Sequence, residues 1–222
     1  MKTINKLGIA LAAAAFTVAS HAVPITTLLT GTGGTLTEGD KIFSDFTWSG
    51  PTGPQGIEIL GINEGGLYGI RIQGMSITDP GTYTWNLTYA VETALGSGML
   101  ISDVHQRYAT GNGGNMASKV DEYVYANPSH TLLLAESHIA GYDQIDPPGE
   151  LTDTLNLLYP RQKVWITKTI TAILPDQTTT TGPKTLIVKQ QFSQVPVPDG
   201  GTTVMLLGFV MAALGFAHRK LS

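Results

Sequence analysis

The 222-residue sequence contains no cysteine. This absence excludes disulfide bonds, thiolate metal sites and cysteine nucleophiles. Charged residues make up only 14% of the chain, and the net charge is −4. A nucleic-acid-binding surface needs a basic stripe that neutralises phosphates, so the composition gives no reason to expect nucleic acid as a partner.

No stretch of the sequence shows a sustained period of 3.6 residues, whereas glycine and threonine are abundant. The clearest segment runs from Thr82 to Glu92, where apolar and polar residues alternate as in a half-buried strand. Its apolar face consists of Tyr83, Trp85, Leu87, Tyr89 and Val91. About ten such segments, separated by turn residues, predict an all-β domain over residues 23–195. We expect an antiparallel two-layer β-sandwich, with a closed barrel as the alternative.

The N-terminus has the three-part pattern of a secretory signal peptide. Lys2 and Lys6 precede an apolar run from Leu7 to Ala19, and Ser20-His21-Ala22 follows. The run is shorter than the roughly 20 residues that a membrane-spanning helix needs. We therefore predict a signal peptide over residues 1–22, cleaved after Ala22 by signal peptidase. A retained N-terminal anchor is the alternative.

The C-terminus combines a turn-forming motif, an apolar segment and a basic end. Val197-Pro198-Asp199-Gly200 comes first, residues 202–217 carry no charge, and Arg219 and Lys220 follow. The uncharged segment is long enough for a helix of about 24 Å, against a hydrocarbon core of about 30 Å. We predict a single transmembrane helix with its basic end in the cytoplasm. A buried helix of the domain is the alternative.

Residues 196–222 resemble the PEP-CTERM class of bacterial sorting signals, in its Val-Pro-Asp variant. The resemblance implies recognition by an exosortase-type processing enzyme, transient membrane attachment, and export to the cell surface or an extracellular biofilm matrix. Asp199 stands where Glu is usual, and Gly200 stands where the variant has Ser. The Gly200-Gly201 pair also resembles the GlyGly-CTERM tail that rhomboid-type proteases process. The segments Val164–Ile170 and Phe192–Pro196 look like the end of β-rich cargo domains of the first class, which have no established activity.

The domain itself lacks a recognisable catalytic or cofactor motif. No Gly-x-Ser-x-Gly elbow and no phosphate-binding loop occurs in the sequence. Asp103 and His105 share one strand face, as do Glu136 and His138, so a metal site that joins the two histidines is an alternative. Asp143 and Asp146 are the corresponding calcium candidates, without the dense ligand spacing of a calcium loop. We predict no catalytic residue, metal or cofactor, and we expect a non-enzyme; a hydrolase ranks last.

One tryptophan stands out as a candidate binding residue. Trp165 has the opposite parity to Val164 and Ile166 and lies beside threonines, which predicts an aromatic ring on the outer face of its strand. Such a ring could stack on a sugar, and a carbohydrate-binding module that acts on exopolysaccharide is therefore the alternative function. The other aromatic candidates are Trp48, Trp85, Tyr83 and Tyr89, of which we expect Trp85 in the core.

Overall fold

A computed structural model describes residues 22–29, 33–51, 53–111, 116–142, 151–175, 183–197 and Met211. The predicted signal peptide lies outside these residues, except for its last residue, Ala22. Pro198, Asp199, Gly200, Arg219 and Lys220 also lie outside them, as does the predicted transmembrane segment except for Met211. Within the described part of the chain, no helix has the length and apolar character needed to cross a membrane.

The described residues form two six-stranded sheets that pack face to face, and the predicted all-β sandwich is confirmed. All pairings between named strands are antiparallel. In sheet I the strand order is β1-β4-β5-β12-β7-β10, and in sheet II it is β2-β3-β6-β11-β8-β9. The elements are β1 Val23–Pro24, α1 Ile25–Leu28, β2 Leu36–Glu38, β3 Lys41–Ser49, β4 Glu58–Glu64, β5 Leu67–Ile77, β6 Gly81–Thr93, β7 Met99–Gly111, β8 Ala117–Tyr125, β9 Leu133–Tyr142, β10 Leu151–Arg161, β11 Lys163–Leu174 and β12 Lys184–Pro196.

The described residues contain twelve strands where the sequence predicts about ten. The strands β1 and β2 have only two and three residues, which is too short for a visible alternation. They pair with β4 and β3 at the edges of the two sheets. These short strands leave the predicted two-layer architecture unchanged.

Aromatic rings join the two sheets across the core. Phe43 on β3 packs against Phe192 on β12, with ring centroids 5.8 Å apart. Within sheet II, Phe46 stacks on Tyr89 of β6 at 5.5 Å, and Trp85 is fully buried as predicted. Aromatic pairs of this kind contribute about 0.5–1.5 kcal/mol each beyond the area they bury. They fix the strands that carry the outer faces of the sandwich.

The last strand brings the sorting motif to one end of the sandwich. β12 lies between β5 and β7 and ends at Pro196, which pairs with Met99. The amide of Val197 donates to the carbonyl of Gly98 over 2.8 Å. At the end of β6, Thr93 Oγ1 donates to the carbonyl of Met99, and the Thr93 amide donates to the carbonyl of Gln162 just before β11. Val197, the last residue described before the tail, therefore lies at the end of the sandwich where β11 begins.

Candidate functional site

Trp165 lies on the outer face of sheet II, as its parity predicts. It is the third residue of β11 and pairs with Ala90 on β6 and Tyr125 on β8. Its side chain is half-buried, and Lys163 Nζ lies 5.5 Å from the ring centroid. Of the other aromatic candidates, Trp85 and Tyr89 are buried, whereas Trp48 and Tyr83 are partly buried and pack against the core.

The ring of Trp165 lines a pocket of about 470 Å³, which we call the Trp165 pocket. This volume falls within the roughly 300–1,000 Å³ that is typical of small-molecule sites. The buried Tyr89 also lines it, and the hydroxyls of Thr47 and Thr88 hydrogen-bond to each other at its side. The other lining residues are Asp45, Pro128 and His130.

Two residues of this pocket have a strained backbone. Asp45 has φ 58° and His130 has φ 53°, and they are the positive-φ residues other than glycine in the described part of the chain. Both types tolerate this region better than most side chains do. Such conformations concentrate at binding sites because they aim a side chain where regular structure would not. The register of β3 on β6 shifts between Ser44 and Thr47, which places Asp45 in a β-bulge.

A rigid turn after β8 presents His130. The side-chain oxygen of Asn127 accepts from the amides of Thr131 and Leu132, each over 3.1 Å. The imidazole of His130 stacks on Tyr125 with centroids 5.0 Å apart, and its Nδ1 lies 3.3 Å from Thr167 Oγ1. The sequence predicts the turn at Asn127 but gives no local signal for His130, because its place depends on the pairing of β8 with β11.

The surface around the pocket combines aromatic faces with polar groups. Tyr123 continues the row beside Tyr125, with centroids 6.5 Å apart. The carboxylate of Asp45 is 59% exposed and lies 3.8 Å from Lys163 Nζ. Part of this carboxylate therefore faces solvent and can accept hydrogen bonds there. Aromatic faces next to exposed hydroxyl and carboxylate groups can stack on the apolar side of a sugar ring and bind its hydroxyls.

The two histidines of the alternative metal site lie in different sheets. His105 is on β7 of sheet I and His138 is on β9 of sheet II. The alternative that joins them is therefore wrong, since it requires adjacent strands. Among the described residues, no three histidine, aspartate or glutamate side chains come together to hold a metal. Asp143 and Asp146 lie outside those residues.

His105 does lie beside a serine and an aspartate. Its Nε2 is 2.7 Å from Ser193 Oγ and 2.7 Å from Asp103 Oδ1, while Nδ1 is 3.0 Å from Thr154 Oγ1. A catalytic serine triad needs the carboxylate on the nitrogen opposite to the one that faces serine. Here both groups compete for the same nitrogen, so the three side chains do not form that relay.

A second group of polar side chains lies inside the sandwich. We call it the Lys168 cluster; it consists of Gln106, Glu122, Ser137, Asp153 and Lys168. Lys168 on β11 and Glu122 on β8 are direct cross-strand partners and form an ion pair. Both side chains are fully buried. Burial lowers the pKa of Lys168 below its ordinary value, although the adjacent carboxylate opposes that shift.

The C-terminal tail matches a known family model. Residues 196–221 match the model described as the VPDSG-CTERM motif, so the chain carries this variant of a PEP-CTERM-like exosortase sorting signal. Val197 begins the motif and is 46% exposed, directly beyond the end of β12. A search of curated proteins finds no match for the chain.

Several solved structures are similar to the sandwich at low identity. One is TmCBM61 in complex with beta-1,4-galactotriose, at 12% identity and TM-score 0.35, covering 68% of this chain and 90% of that one. A second comes from work on carbohydrate-binding modules of the β-sandwich superfamily, at 16% identity and TM-score 0.37. It covers 72% of this chain, which spans 58% of that protein's length. A third is an arabinose-bound α-L-arabinofuranosidase, at 6% identity and TM-score 0.28, covering 66% of this chain and 23% of that one.

Proposed function

We propose that the protein is exported, is processed at its C-terminus by an exosortase-type enzyme, and is then retained at the cell surface or released into the extracellular matrix. The match of residues 196–221 to the VPDSG-CTERM motif carries this proposal. The fold supports it, because the motif begins where the last strand ends and Val197 is accessible to an enzyme. The sandwich can therefore stay folded while its tail is processed.

The test follows the native protein and a tail variant in the same cells. Deletion of residues 197–222 leaves all twelve strands intact, and we expect it to change the protein's destination. Replacing Pro198 and Asp199 by alanine keeps the apolar segment, and we expect an unprocessed form that stays in the membrane. The intact mass of the native protein measures both processed ends at once. Unchanged localisation of the deletion variant would contradict the proposal.

We propose further that the folded domain binds carbohydrate of the extracellular matrix at the Trp165 pocket. The proposal rests on one observation: the outward-facing Trp165 lines the same pocket as Asp45 and His130, whose backbones are strained. The pocket also lies toward the end of the sandwich that carries Val197. A domain that binds matrix polysaccharide would give the exported protein a ligand at its destination.

A glycan array probes the domain, and titration calorimetry with the best ligand gives the affinity. Trp165→Ala should lower that affinity by about tenfold or more, because truncation of a tryptophan at the centre of a binding site typically costs about 2 kcal/mol. Tyr159→Ala is the matched control, since Tyr159 is 62% exposed on β10 of the other sheet. Equal binding by the Trp165 variant and its parent would refute this site.

We expect the domain to have no enzymatic activity. The geometry at His105 supports this expectation, because the carboxylate of Asp103 and the hydroxyl of Ser193 approach the same ring nitrogen. A hydrolase would need a relay or a carboxylate pair in a cleft. Assays of the purified domain with ester and glycoside substrates test this; turnover that is lost in His105→Ala would contradict it.

A further inference from the structure

The Lys168 cluster places an amine against an amide across the core. Lys168 Nζ lies 2.5 Å from Gln106 Oε1, and it also hydrogen-bonds to Glu122 Oε2. Lys168 and Glu122 belong to sheet II, whereas Gln106 belongs to β7 of sheet I. The contact between Lys168 and Gln106 therefore joins the two layers.

The surroundings of this contact exclude water. The side chains of Gln106, Glu122 and Lys168 are all fully buried. Along β11 the inward neighbours of Lys168 are Ile166 and Ile170, which are also fully buried. Burial lowers the pKa of the Lys168 amine, and an uncharged amine is a nucleophile. Amine, amide and carboxylate are held together where hydrolysis cannot compete.

We propose that Lys168 and Gln106 react to form an intramolecular amide bond that links β11 to β7 across the sandwich. The lone pair of Lys168 Nζ forms a bond to Gln106 Cδ, and the bond from Cδ to Nε2 breaks with its electron pair on Nε2. Because Lys168 and Glu122 start as an ion pair, Glu122 first takes a proton from the ammonium and so frees this lone pair. Glu122 then gives that proton to the departing nitrogen and takes a second one from Nζ, so it ends protonated. One amide is exchanged for another and ammonia is released, so the step needs no oxidant and no other reactant.

The rest of the cluster holds the Gln106 amide in one orientation. Gln106 Nε2 donates to Ser137 Oγ over 3.5 Å, and Ser137 Oγ donates to Asp153 Oδ2 over 2.6 Å. The carbonyl oxygen of Gln106 thus faces the amine, while its leaving nitrogen faces the opposite way. Asp153 is half-buried on β10, so the chain of hydrogen bonds leads from the reacting atoms toward the surface.

Such a bond would take the place of the disulfides that this exported chain lacks. Gln106 and Lys168 are 62 residues apart in the sequence, so the link closes a large loop. Cross-links of this kind restrict the unfolded chain and so stabilise the folded one. The bond would also resist reduction, which a disulfide does not.

Intact mass under denaturing conditions tests the proposal on the full chain purified after export. We expect the protein to be lighter than its processed sequence by one ammonia. Tryptic digestion should yield a branched peptide that joins Lys168 to Gln106, with no cleavage after Lys168. Lys168→Met and Glu122→Gln should both have the mass that their sequences require, without loss of ammonia. Lys119→Met changes an exposed lysine, and this variant should still be lighter by one ammonia.

Other outcomes would overturn the assignment. A native protein of full mass would refute the cross-link, and this result does not depend on the folding of any variant. Loss of ammonia that persists in Lys168→Met would place it elsewhere, for example at a succinimide of Asn112-Gly113. Loss of water, with Lys168 joined to Glu122, would refute Gln106 as the partner.

Discussion

The ring of Tyr125 stacks on the imidazole of His130, with centroids 5.0 Å apart and an angle of 14° between the planes. Tyr125 is the direct cross-strand partner of Trp165 in the register of β8 on β11. The stack therefore fixes the imidazole beside the tryptophan ring at the pocket. Tyr123, the cross-strand partner of Thr167, extends the row of rings along the outer face of sheet II.

The stack predicts a role for His130 in glycan binding. We expect His130→Ala to weaken binding about threefold to tenfold, since an aromatic contact contributes about 0.5–1.5 kcal/mol. Calorimetry with the ligand identified for the parent protein measures the change. His138→Ala is the control, because His138 lies on the same sheet face but contacts Tyr123 and Asp121 instead. Equal losses for the two variants would contradict a specific role for His130.

The strained backbone of Asp45 predicts opposite effects on stability and binding. Glycine adopts φ near 58° without cost, so Asp45→Gly should keep or slightly raise the stability of the fold. Asp45→Ala should lower it by about 1 kcal/mol, because alanine gains nothing from that conformation. The 3.8 Å contact with the half-buried Lys163 offsets little of this, since exposed ion pairs contribute little.

Binding should fall in both Asp45 variants, because both remove the carboxylate from the pocket. Urea unfolding gives the stabilities, and calorimetry gives the affinities. If Asp45→Gly binds glycan as well as the parent, the carboxylate has no part in the site and the strain has another cause.

The sequence predicts the parts of this fold that depend on alternation. The strand expected over Thr82–Glu92 appears as β6, with Trp85 and Leu87 directed into the core. The outward position of Trp165 follows from the same parity. The order of the strands does not follow from it, because the pairing of β12 with β7 and of β11 with β8 joins distant parts of the chain.

The residues that sequence reasoning missed all depend on this order. Lys168 interrupts an apolar strand face, but its partners Gln106 and Glu122 are known only once the sheets are assembled. The same holds for His130, which reaches the Trp165 pocket through the turn after β8. Their positions arise from contacts between strands, for which a local pattern carries no information.

A close approach between strands predicts that Gly69 tolerates no side chain. A Cβ at Gly69 would lie 1.9 Å from the backbone oxygen of Gln190 on β12, which cannot move without disrupting sheet I. We expect Gly69→Ala to destabilise the fold by about 1–3 kcal/mol or more, as overpacking does. Gly65→Ala is the control: no atom lies within 4 Å of its Cβ, and only its φ of 65° opposes the change. Urea unfolding should therefore show the larger loss for Gly69, and equal losses would contradict the steric argument.

The ionised side chains on the outer face of sheet II predict a pH-dependent stability. Burial acts to raise the pKa of Asp121, but hydrogen bonds and attraction from Lys119 and His138 outweigh it, so the pKa is lowered. A carboxyl group with a lowered pKa adds stability above its unfolded value of about 3.9 and loses it as the pH falls through the folded value. Asp121→Asn should therefore be less stable than the parent at pH near 7, and the difference should vanish under more acidic conditions.

Thermal unfolding across this range measures the effect, with Glu136→Gln as the control because Glu136 forms no ion pair among the described residues. A difference between parent and Asp121→Asn that is constant with pH would show that the contribution of Asp121 is not ionic.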